Sequence, residues 1–128
     1  MSTSSTLLPG RCTAAALRDR LPSGLGLDLD TLAPAMAAAL WVLSLFPHDD
    51  KGVWDHVGPA GLDVKALAFP GGDRPRREQV LLRAAASIAM PMWEVSLHAL
   101  ATELDPVGWA VVSEALRVAH FGLAGGPR

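Results

Sequence analysis

The chain has 128 residues, half of them apolar and only 19 % charged, with a formal net charge of −2 at pH 7. That length suits one domain with a core of its own, and the apolar share excludes a disordered chain. The slight negative balance offers no long-range attraction for nucleic acid or an anionic membrane, so neither is an expected partner.

The single cysteine, Cys12, excludes an internal disulfide and points to a reducing compartment, the cytoplasm. Frequent alanine, and arginine in excess of lysine, suggest a GC-rich bacterial genome. A monomer of this size buries about two thirds of its unfolded surface. So apolar a chain therefore raises the question of a further interface.

Residues 1–11 are rich in Ser and Thr, lack periodicity and read as a flexible tail. Residues 12–122 read as one helical domain, and 123–128 as a second tail. From Cys12 to Leu21 the pattern is helical, with Ala14, Leu17 and Leu21 on one face, and Pro22 stops it. Asp30 is the expected N-cap of the next helix, with Pro34 in its first turn. That helix, about residues 31–46, carries no charge and includes Leu40, Trp41, Leu43 and Leu45. A helix apolar all round belongs in the middle of a bundle or in an interface. It is too short, and its approach through Asp28 and Asp30 too acidic, for a membrane span.

A short helix capped by Asp50 is expected over Lys51–Val57, and another over Gly61–Phe69. No segment reads as a strand. Asp73 is the expected N-cap of a long helix that stops near Met90, because Pro91 disfavours helical geometry in the residue before it. Leu81, Leu82, Ala85, Ile88 and Ala89 form its apolar side. A helix over Trp93–Leu104 follows, and Asp105-Pro106 starts a last one that ends at Phe121 before Gly122. The fold class expected is all-α: a compact bundle of five to six helices around a central apolar helix.

Three clusters bear on function. Met90-Pro91-Met92-Trp93 breaks two helices with large adaptable side chains, which are favoured at protein interfaces. Met90, Met92 and Trp93, with Trp109 at the edge of the last helix's polar arc, are the expected partner-binding residues. The function this supports is a non-catalytic helical interaction module that self-associates, as a homodimer or larger, or binds a protein partner without a cofactor.

His48, Asp49, Asp50, Asp55 and His56 form the second cluster, an alternative site for a divalent transition metal or small ligand. Their spacing matches no helical ligand pair such as H-x-x-x-H, and a solvated connection explains them as well. The third cluster is Arg74, Arg76 and Arg77. Arginine binds phosphate through its planar fork, which suggests a weaker third role as a nucleic-acid accessory. Asp73 and Glu78 flank these arginines, and no aromatic residue interleaves them.

Overall fold

Ten uncharged residues, Pro34–Leu43, set the geometry of the molecule. In the computed structural model, which describes residues 10–70 and 72–123, they form helix α2. Helix α1 spans Ala14–Arg20, and after α2 come α3 (Lys51–Trp54) and a two-stranded hairpin, β1 (Val57–Gly58) and β2 (Gly61–Leu62). Helices α4 (Val64–Ala68), α5 (Arg76–Ala89), α6 (Leu97–Glu103) and α7 (Pro106–Phe121) complete the described residues. The protein is mostly helical. The described residues form seven helices, against the five to six of the expected bundle, and the two single turns, α3 and α4, fall where short helices were expected. The expected tails at 1–11 and 123–128 lie almost wholly outside the described residues.

Helix α2 packs chiefly against α5 and α7, with α1 beside it. Ala37 to Leu43 are each at most 1 % exposed. Alanines at 37, 38 and 39 let the neighbouring backbones come close, while Leu40 and Leu43 each contribute about 2 kcal/mol of burial. The central helix is therefore enclosed from Ala37 to Leu43, while Pro34 at its start is exposed and Ala35 and Met36 are partly so.

Trp41 is buried, and its indole N–H has no acceptor among the described residues. The Arg20 guanidinium lies 4.5 Å from the ring centroid, an attraction that offsets part of that cost. Helix α2 is shorter than expected at both ends. Asp28, not Asp30, organises the approach: its Oδ1 accepts from the Asp30 amide at 3.1 Å, and Ala33 becomes the N-cap.

Helix α1 is tied to the far end of the chain. The Cys12 amide donates to Glu114 Oε2 on α7 at 2.7 Å, and Arg117 grips the same carboxylate at 2.7 and 2.9 Å. Burial acts to raise the Glu114 carboxyl, yet these hydrogen bonds and the nearby Arg117 and Arg11 charges leave it below the usual range. Thr13 caps α1 by accepting from the Ala16 amide.

The hairpin is the element the sequence did not announce. Gly61 turns the chain at φ 114°, which favours glycine, and Val57 then pairs antiparallel with Leu62. Two residues per strand leave too short an alternation to be read as a period. Helix α4 begins at Asp63, whose carboxylate accepts from the Ala66 amide.

Helix α5 starts at Arg76 with Pro75 as N-cap, not at Asp73. Arg74 precedes a proline and is held out of helical geometry, so Asp73 stands too far back to cap. Helix α6 starts four residues later than expected, where the Ser96 hydroxyl accepts from the Ala99 amide. Only α7 keeps both expected ends: Asp105 caps through Gly108, Pro106 is the first helical residue, and Gly122 follows at φ 85°.

Candidate interaction surface

The break between α5 and α6 is where the chain turns apolar side chains outward. Met90 is extended, at φ −143° and ψ 131°, and Pro91 prevents the helix from resuming. The Trp93 amide donates to the Met90 carbonyl in a tight turn, and residues 93–95 run on to the Ser96 cap. Met90 is 41 % exposed, Met92 70 % and Leu97 81 %.

Trp93 is half-buried. It meets Phe69 edge-on, with centroids 5.2 Å apart and planes at 76°. Phe69 ends α4 ahead of Pro70 and is 57 % exposed. The Arg83 guanidinium lies 5.0 Å from the Phe69 centroid, and its Nη1 donates to the Glu94 carbonyl at 3.3 Å. A groove of about 470 Å³ opens here between Phe69 and Pro70 at the end of α4, Arg76, Gln79 and Arg83 on α5, and residues 94–96.

Two residues of this surface, Phe69 and Leu97, were not among the expected contacts. In a helix over Trp93–Leu104, Leu97 shares a face with Leu100 and Leu104. Once Ser96 becomes the cap, Leu97 is the first helical residue and points outward. A Phe directly before a proline was the available signal for Phe69. Trp109 lies apart from this surface, on the outer face of α7. It is 50 % exposed, and Leu116, 55 % exposed, follows two turns later.

The polar loop does not converge. His48 Nε2 donates to the Arg20 carbonyl at 2.8 Å, and its ring stands edge-on to Trp54. Asp50 turns instead toward α5, where Arg74 grips it with two bonds of 2.6 and 2.9 Å. Those bonds hold its carboxyl below the usual carboxylate range. His56 Nδ1 is 3.9 Å from Asp63, and Asp49 and Asp55 are exposed. Among the described residues, no three His, Cys, Asp or Glu side chains are grouped so as to hold a metal ion.

The arginine cluster is neutralised by carboxylates. Arg74 also reaches Glu78 at 2.9 Å, Arg77 reaches Asp105 at 3.1 Å, and Arg76 reaches Glu103 at 3.9 Å. The first of these is a structural staple, since its guanidinium is only 15 % exposed.

No protein-family model matches this chain, and no curated protein or solved structure is detectably similar to it. No helix among the described residues is long and apolar enough to cross a membrane. The surface must be interpreted from its own geometry.

Proposed function

We infer that this protein is a non-catalytic interaction module, binding a second copy of itself or a protein partner through the surface formed by Met90, Met92 and Trp93. Phe69 and Leu97 extend that surface, and Trp109 is a separate contact. The observation that carries the reading is the exposure of Met92 and Leu97 at the two ends of the segment whose residues 94–96 line the groove, in a chain whose central helix is buried from Ala37 to Leu43. Single exposed apolar residues need no explanation, but a cluster beside a half-buried tryptophan is the usual form of an interface anchor. The buried lone thiol of Cys12 fits a reducing compartment such as the cytoplasm. The alternative, a metal- or ligand-binding protein using His48–His56, draws no support from side chains that diverge.

Sedimentation velocity at tens of micromolar tests the self-associating form. The wild type should sediment above monomer mass, and Leu97→Glu should return it to monomer without loss of helix content. A wild type that stays monomeric ends that form and leaves only a heterologous partner.

A further inference from the structure

Arg83 differs from the arginines that precede it on α5. Arg74, Arg76 and Arg77 each lie within 4.0 Å of a carboxylate, whereas Arg83 makes no ion pair among the described residues. Its one hydrogen bond is the 3.3 Å contact with the Glu94 carbonyl, which leaves four of its five N–H donors open. Phe69 supports one face of the guanidinium and so restricts its plane. A planar fork, held in place on a groove wall and lacking an anion, matches a carboxylate geometrically. Arg76 and Gln79 stand at positions i and i+3 of the same helix face, with Arg83 at i+7; Arg76 reaches Glu103 and the Gln79 amide donates to the Arg74 carbonyl, so Arg83 carries the open donors of that wall. Glu94 lines the facing wall and keeps an acidic group to the α5 side.

We propose that this groove binds an acidic, apolar peptide segment of a partner protein. An Asp or Glu of that segment pairs with Arg83, and its neighbouring aliphatic or aromatic side chains cover Phe69, Met92 and Leu97. The proposal rests on the interaction-module reading and specifies the chemistry of the partner. Charge complementarity selects the acidic group. The surrounding side chains select a peptide over a free anion or a nucleic acid, because neither of those would cover the methionine and leucine that flank residues 93–96. Such a pairing fixes register and raises specificity more than it raises affinity.

Panning a library of random linear peptides against the full-length protein tests this, followed by anisotropy titration of the enriched sequences as labelled synthetic peptides. Enriched peptides should carry Asp or Glu beside large apolar residues. Arg83→Gln should weaken their binding about tenfold. Arg83→Lys keeps the charge without the fork and should fall between the two, and added salt should weaken binding to the wild type more than to Arg83→Gln. Circular dichroism checks that each variant is folded, and should Arg83→Gln fail that check, the lysine variant alone decides.

Peptides lacking an acidic residue, or acidic peptides indifferent to Arg83→Gln and Arg83→Lys but lost with Leu97→Glu, overturn the proposal and leave the interaction module standing. A single-stranded oligonucleotide that outcompetes every peptide, and does so through Arg83, overturns it in favour of nucleic acid. No enrichment at all overturns the proposal, and the interaction module then stands or falls on sedimentation alone.

Discussion

Replacing Gly52 by alanine should destabilise this protein, although helix propensity alone predicts the opposite. Gly52 lies inside α3, where a Gly→Ala change ordinarily stabilises by about 1 kcal/mol. Here the new Cβ would stand 2.6 Å from Arg74 Nη2 and 3.4 Å from Asp50 Oδ1. The guanidinium cannot retreat without loss, since it holds Asp50 with two bonds and Glu78 with a third, and lies 5.6 Å from the Phe46 ring centroid.

Both partners of the Asp50 pair are less than one-fifth exposed, so disrupting it costs about 1.5–3 kcal/mol, in the range for hydrogen bonds to charged groups. The loss exceeds the propensity gain by about 0.5–2 kcal/mol. Urea unfolding followed by tryptophan fluorescence should show the lowered midpoint. In an Arg74→Met background the clash is gone, and the same glycine change should become stabilising. If Gly52→Ala raises the midpoint in the otherwise native chain, the packing of α3 against Arg74 described above is incorrect.

Acid should act through the same staple. The folded-state pKa of Asp50 lies below its unfolded value, so its contribution is complete above about pH 4 and is lost as pH falls through the folded value. Asp50→Asn should flatten the acid limb of the midpoint-versus-pH curve, and an unchanged limb would refute the assignment. For Cys12, burial foremost and then the Glu114 charge push the thiol up to about 12. A thiol-specific disulfide reagent at pH 8 should leave it untouched in the native protein and titrate one equivalent in urea. Rapid native reaction would mean that α1 detaches from α7.

The elements that were legible in the sequence are those whose signals are local. Asp105-Pro106 and Gly122 bound α7 because capping and proline geometry act within one turn. The absence of charge from Thr31 to Pro47 located the central helix, though not its ends. The starts of α5 and α6 were misplaced for local reasons too: Pro75 outranked Asp73 as the boundary, and Ser96 outranked the hydrophobic periodicity that pointed to Trp93.

What could not be read was pairing across distance. Asp50 does stand at the N-cap of α3, as its sequence position suggests, but its carboxylate is taken by Arg74, 24 residues away. Arg74, Arg76 and Arg77 looked like one basic patch, yet the carboxylates of Asp50, Glu103 and Asp105 come from other elements. Met90-Pro91-Met92-Trp93 marked in the sequence a place where a large apolar side chain is hard to bury, and Met92 is 70 % exposed there while Trp93 is half-buried. Phe69 gained meaning only when α4 brought it beside Trp93 and Arg83.

The enclosure of α2 has a consequence for how the protein is made. Both helices that cover it come later in the chain, and sixty-three positions separate Leu43 from Pro106. At synthesis rates of roughly 5–20 residues per second, about 3–13 s pass between completion of α2 and the first residue of α7. Throughout that interval the most apolar segment of the protein lacks its main native neighbour. Anything that slows translation between residues 44 and 105 lengthens the exposure of that segment, and with it the opportunity for aggregation.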